Sequence, residues 1–147
     1  MTKHEFVQQA YAAALCSSQR SAMPALVTVA QAALESNWGH SKLSQEANNY
    51  FGIKAHGKHQ RIQMCTHECE AGTSVEVKAE FAKYLSMLDC FQCRDGILGR
   101  AAVYAGAREK RGDEAAFIAE IAKHWATDPK YAGKLLAVLN EVKGITK

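Results

Sequence analysis

Apolar side chains recur at Phe6, Ala10, Tyr11 and Ala14 with a helical period, and Thr2 and Glu5 precede them at the spacing of a capping box. The pattern predicts an opening helix that ends in the polar run Ser17 to Ser21. A second helix is predicted from Met23-Pro24, where proline suits a helix start, with Leu26, Val29, Ala30, Ala33 and Leu34 at i, i+3, i+4, i+7, i+8 intervals. Asn37 and Gly39 mark its end, so Glu35 falls in the last turn beside the apolar face. From Arg61 the period drops to two. Ile62, Met64, Thr66 and Glu68 take one face of a strand, and Arg61, Gln63, Cys65, His67 and Cys69 take the other. A turn at Ala71-Gly72-Thr73 and a second alternating run, Val75, Val77, Ala79 and Phe81, complete a β-hairpin. Helical spacing returns with Leu88, Phe91, Ile97, Leu98, Ala101 and Ala102, and again after Arg111-Gly112-Asp113 with Phe117, Ile118, Ile121, Ala122 and Trp125. Asp128-Pro129 is a cap and first-turn signal for a last helix. The pattern predicts a mostly α (α+β) domain with one small β-hairpin inserted near its middle.

Composition narrows this further. A chain of 147 residues has room for one domain, 1–147, with its own hydrophobic core. Its 48% apolar and 22% charged residues are those of a folded globule and exclude a disordered chain. The longest apolar stretch, Pro24 to Leu34, is interrupted by Thr28 and Gln31 and is shorter than the roughly 20 residues a membrane span needs, so no membrane insertion is expected. The first fifteen residues carry His4, Glu5, Gln8 and Gln9 where a secretory signal is apolar, so synthesis in the cytoplasm without a signal peptide is expected. A net charge of +3, from 18 basic and 15 acidic residues spread without a Lys/Arg block, points to no nucleic-acid partner.

A carboxylate in the last turn of an apolar helix, with another on a hairpin further along, is a pattern that can place Glu35 and Glu68 across a cleft. Glycoside cleavage needs that geometry, because one acid protonates the leaving oxygen while the other attacks or activates water. Partial burial beside Leu34 and Trp38 disfavours the anion of Glu35 and suits it to proton donation near neutral pH. Spacing alone favours the plainer reading of Glu35 as a solvated helix-end residue, since most glutamates lie on the surface.

The run Ala30-Gln31-Ala32-Ala33-Leu34-Glu35-Ser36-Asn37-Trp38-Gly39, followed by Ser41-Lys42-Leu43 and Asn48-Asn49-Tyr50-Phe51-Gly52-Ile53-Lys54, closely resembles the signature of the bacterial glucosaminidases, glycoside hydrolase family 73. Trp125-Ala126-Thr127-Asp128-Pro129-Lys130-Tyr131-Ala132 with Leu135-Leu136 resembles the C-terminal motif of that family, and Thr66-x-Glu68 with Phe81-x-x-Tyr84 its hairpin pattern. The likeness runs from about Phe6 to Val142. It implies a lysozyme-like fold with the hairpin lobe flanking an active-site cleft, and an endo-β-N-acetylglucosaminidase that cuts peptidoglycan glycan strands after N-acetylglucosamine. By the same resemblance Glu35 is the general acid, Glu68 the second carboxylate and Tyr131 a cleft tyrosine, although a tyrosine there also suits simple packing of the last helix. Trp38, Asn49, Tyr50 and Phe51 are expected to floor the sugar cleft, since aromatic faces stack on pyranose rings and amides bond acetamido groups. Trp125 is assigned to the core. A muramidase on the same fold, or a non-catalytic peptidoglycan-binding module, is the alternative. The family often has arginine where this chain has Ala82 and an acid near Cys93, with Asp89 and Asp95 as nearby substitutes. Catalysis of this kind needs no cofactor. A monomer is expected, delivered to the wall or periplasm as a phage endolysin past a holin or as an effector through a secretion apparatus.

Cys65-x3-Cys69 and Cys90-x2-Cys93 each share one face of their predicted element, while Cys16 stands apart. If the pairs meet, three outcomes are open: a structural zinc site, with His67 as a substitute ligand, one or two disulfides, or reduced thiols. In each, the cluster braces the hairpin without joining the reaction.

Overall fold

The computed structural model describes residues 1–70 and 72–147, the side chains of residues 68–70 excepted. Helix α1 (Lys3–Ser21) opens as its capping pattern predicts, with the Glu5 N–H donating to Thr2 Oγ1 at 3.1 Å, and buries Phe6, Val7, Ala10 and Ala14. Helix α2 (Ala25–Ser36) starts directly after Pro24 and is buried almost all round, because Val27, Val29, Ala30, Ala32 and Ala33 are small enough for α1 and the last helix to close on it from two sides. Asn37, Trp38 and Gly39 then take positive φ values of 50°, 57° and 82°, which turns the chain sharply just past Glu35. Gly39 has a second reason to be glycine, since a Cβ there would lie 3.1 Å from the Phe6 ring.

A short helix α3 (Lys42–Ala47), capped by Ser41, follows and was not foreseen, because six residues show no period. The hairpin is β1 (Gln60–Glu70) and β2 (Thr73–Lys83), paired antiparallel with Ile62 opposite Phe81, Thr66 opposite Val77 and Glu68 opposite Val75. Ala71 of the predicted turn lies outside the described residues, and Gly72 has the positive φ such a turn needs. The base of the hairpin is tied to the preceding segment, the Ala82 N–H donating to Ile53 O at 3.0 Å and the Ala55 N–H to Glu80 O at 3.0 Å.

Helix α4 (Met87–Arg100) buries Cys90, Phe91, Arg94, Asp95 and Leu98. A 3-10 turn (Ala102–Tyr104) and α5 (Ala105–Arg108), also unforeseen, are held from outside their own sequence by Arg108 Nη1 donating to the Leu98 and Ala101 carbonyls. Helix α6 (Glu114–Trp125) is capped by Asp113. The last helix, α7 (Tyr131–Thr146), begins later than its proline suggested. Asp128 accepts the Lys130 N–H on its side chain and the Tyr131 N–H on its carbonyl, which makes it a turn residue, not the helix cap. One apolar core runs through α1, α2, α4, α6 and α7, so the fold is a helical body with a two-stranded lobe. Among the described residues no helix is long and apolar enough to cross a membrane.

Candidate active site

Glu35 sits where α2 ends, so its side chain leaves the buried helix at the point where the chain turns away. It opens into a cleft of about 350 Å³ walled by Phe51, Ile53, Ile97, Tyr104 and Trp125. Glu35 as a residue is exposed, but the protein crowded around its carboxyl desolvates it enough to raise its pKa above the ordinary 4.5. The Tyr131 hydroxyl works in the opposite direction by donating to the carboxylate. Tyr131, at the start of α7, is buried, and burial together with the neighbouring Glu35 charge pushes its phenol well above the ordinary range, so it remains a protonated donor. Its oxygen accepts from Gln31 Nε2 at 3.1 Å.

Glu68 lies in β1 opposite Val75, with its side chain outside the described residues, as is that of Cys69. Of the four residues expected to floor the cleft, Phe51 lines it, its ring centred 5.3 Å from Phe91 and 6.2 Å from Trp125. The other three turn inward. Trp38 packs edge-on to Phe6 with the Lys3 ammonium 4.6 Å over its ring, and Tyr50 lies between Phe6 and Phe91. Asn49 is 1% exposed, and its amide donates to Ile53 O and Ala82 O at 2.9 Å while accepting the Phe51 and Ile53 N–H groups. Nothing is left over for an acetamido group; Asn49 holds the 49–53 segment against the base of the hairpin. Trp125, assigned to the core from its helical stripe, is half-buried and forms a wall of the cleft.

The four cysteines with described side chains do not gather into one cluster. Cys65 is exposed on the hairpin opposite Lys78, beyond the base that touches the helices. Cys90 is buried, its Sγ accepting the Tyr50 N–H at 3.4 Å, and burial pushes its thiol up to about 12. Cys93 accepts the Tyr84 hydroxyl at 3.1 Å and lies 3.7 Å from His59 Nε2. Cys16, Cys65, Cys90 and Cys93 are all free, and among the described residues no three histidine, cysteine or acidic side chains stand together as a metal site. The expectation of a structural zinc therefore has no support, because the two elements point their thiols into different surroundings.

Of the nearby acids, Asp89 is exposed in the first turn of α4, and Asp95 is buried in a pair with Arg94 at 2.9 Å. A larger cavity, about 490 Å³, adjoins Asp95 between α1 and α4, but its other charged walls are arginines, so two acids do not face each other across it. The residues that sequence patterns did not single out are Gln31, Arg94 and Tyr104. The available signal was small: Thr28 and Gln31, three apart, are polar on one face of an otherwise apolar helix.

A helical body with a two-stranded lobe, and a cleft between aromatic walls with a carboxyl at its edge, is a lysozyme-like architecture. The chain belongs to the glucosaminidase family, whose model, described as mannosyl-glycoprotein endo-beta-N-acetylglucosaminidase, matches residues 11–144. It is 35% identical to the peptidoglycan hydrolase FlgJ of Escherichia coli K12, over 96% of this chain and 47% of FlgJ. With the exo-glucosaminidase LytG of Bacillus subtilis it shares 34% identity, over 78% of this chain and 43% of LytG. The chain thus spans less than half the length of these relatives. Its fold is similar to the catalytic domain of the autolysin Auto of Listeria monocytogenes, with a TM-score of 0.87 at 29% identity, covering 99% of this chain and 88% of that one.

Proposed function

We propose that this domain hydrolyses bacterial peptidoglycan glycan strands at the β-1,4 bond that follows N-acetylglucosamine, with Glu35 as the general acid. The carrying observation is the Glu35 carboxyl itself, desolvated at the cleft and held by Tyr131. The relatives named peptidoglycan hydrolase and glucosaminidase support the substrate.

In this reading the undissociated Glu35 protonates the glycosidic oxygen as the bond to the anomeric carbon lengthens. The Tyr131 hydroxyl then steadies the carboxylate left behind. Glu68, on the hairpin lobe, is the second carboxylate, stabilising the developing positive charge or activating water. Phe51 and Trp125 offer apolar faces for pyranose rings. Its place of action in this reading is the cell wall or periplasm, and a holin for a phage endolysin or a secretion apparatus for a lytic effector is the proposed delivery partner.

The test is digestion of purified peptidoglycan by the wild type and Glu35→Gln, borohydride reduction of the products, and mass spectrometry of the new ends. Reduced N-acetylglucosamine from the wild type, with turnover lowered about 10²-fold or more in the variant, is the expected result. Reduced N-acetylmuramic ends would identify a muramidase, and no new ends a binding module. Glu68→Gln in the same assay decides the second carboxylate.

A further inference from the structure

Gln31 is fully buried at the centre of α2, and the proposed proton transfer does not use it. Its amide has one orientation that its neighbours allow. Arg94 Nε donates to Gln31 Oε1 at 2.9 Å, and a guanidinium has no acceptor to offer in return. The amide nitrogen therefore faces the other way, toward Tyr131 Oη at 3.1 Å. Because Tyr131 accepts there, its own hydrogen is left for Glu35.

Arg94 is itself held fast. It is 0% exposed, and its Nη1 donates to Thr28 Oγ1 at 2.8 Å and Asp95 Oδ1 at 2.9 Å. Asp95 Oδ2 takes the Ser17 and Ser21 hydroxyls at 2.6 and 2.8 Å. The guanidinium carbon lies 5.6 Å from the centre of the Phe51 ring, beneath a wall of the cleft, and Nη2 has no hydrogen-bond partner. A chain of directed bonds thus runs from α1 through α4 and α2 to α7 and ends on the candidate acid.

We propose that Gln31 and Arg94 are positioning residues that set the direction of the Tyr131 hydroxyl, so that its hydrogen is delivered to Glu35. This rests on the reading of Glu35 as the general acid. If the amide were reversed, Gln31 Oε1 would compete for the Tyr131 hydrogen and Glu35 would lose its donor.

Two substitutions separate positioning from support. Gln31→Glu keeps the shape and the acceptor for Arg94 but removes the donor to Tyr131 and adds a rival acceptor. Gln31→Met removes both contacts. A structural role makes Met the worse of the two in stability and activity alike. A positioning role splits the order: Glu is the more stable variant and the less active, with kcat down about tenfold and KM within about twofold, against about threefold in kcat for Met. Tyr131→Phe controls for the added charge. In that background Gln31→Glu should cost less than about threefold in kcat, since the hydrogen it redirects is gone.

Titration of the Glu35 carboxyl by ¹³C NMR gives a readout without turnover, the titratable groups around it being Tyr131 and Tyr104. Its midpoint should move up more in Gln31→Glu than the same substitution moves it in the Tyr131→Phe protein. Equal effects of Gln31→Glu in the two backgrounds, or a wild-type titration in either Gln31 variant, would overturn the proposal. Should Gln31→Glu not fold, Gln31→Met decides alone, unchanged kcat and titration refuting it. A wild type that cuts no glycan would sink the reading of function, while the titrations still judge the network.

Discussion

A general acid has to be short of water without losing its path to substrate, and Glu35 meets both conditions by standing at the last turn of a buried helix where the backbone turns away. Its raised pKa carries a stability consequence whose sign follows from linkage. The folded protein holds the Glu35 proton more tightly than the unfolded chain, so stability from this group is lost as pH rises from about 4.5 through the folded value. Glu35→Gln carries no such penalty. Its melting temperature should match or exceed that of the wild type at pH 7, with the difference vanishing below pH 4.5, the ordinary value. A variant that melts lower at neutral pH would show that the carboxylate is stabilising, contrary to its desolvation. Activity should fall with rising pH on a limb that lies above the ordinary carboxylate range, since only the protonated acid can transfer its proton.

At the level of elements, the segment between α3 and the hairpin is shaped by one side chain. Asn49 replaces a missing ladder by bonding four backbone groups of the 49–53 segment and β2. Asn49→Ala leaves the Phe51 and Ile53 N–H groups and the Ala82 carbonyl without this partner in the interior, Ile53 O keeping the Ala82 N–H, and should cost about 3 kcal/mol in urea unfolding, with activity falling as Phe51 loses its seat. A loss below about 1 kcal/mol would mean that water takes over the bonds. The thiols make an independent check on α4 and the hairpin. An aromatic disulfide reagent should label Cys16 and Cys65, which are exposed, and spare Cys90 until the protein unfolds. Rapid native labelling of Cys90 would mean that α4 is loosely packed. The elements that patterns announced, α1, α2, the hairpin, α4 and α6, are those long enough to show a period. α3 and α5 are too short for that and depend on Ser41 and on Arg108 reaching back to Leu98 and Ala101.

Across the whole molecule, the helical body and the hairpin are bound unequally. The strands pair with each other along their length but join the body at the base, through Lys54 opposite Phe81 and the Tyr84 N–H on the Ala47 carbonyl at 2.8 Å. The core cluster draws Ala82 from the hairpin and otherwise lies in the helices, the turns that join them and the 50–53 segment. Replacing residues 63–80 with a tight turn should therefore keep melting within about 5 °C of the wild type, while removing turnover if Glu68 serves the reaction. Collapse of the fold on truncation would place the hairpin in the cooperative core.

Sequence by itself determined the long helices, the hairpin and the place of Glu35, because each is dictated by neighbours a few residues away: a period, a cap, a run of residues able to take positive φ. Tertiary structure decided which aromatic rings face the cleft. Trp38, Tyr50, Phe51 and Trp125 all belong on apolar faces, and only the packing of α1, α4 and α6 around them assigns Phe51 and Trp125 to the cleft. It also decided that Cys65 stays apart from the α4 cysteines and that Gln31 meets Arg94, 63 residues away, and Tyr131, 100 residues away. A hydrogen bond needs its donor and acceptor within about 3 Å, and no local pattern in a chain records which distant partner the folded core will bring that close.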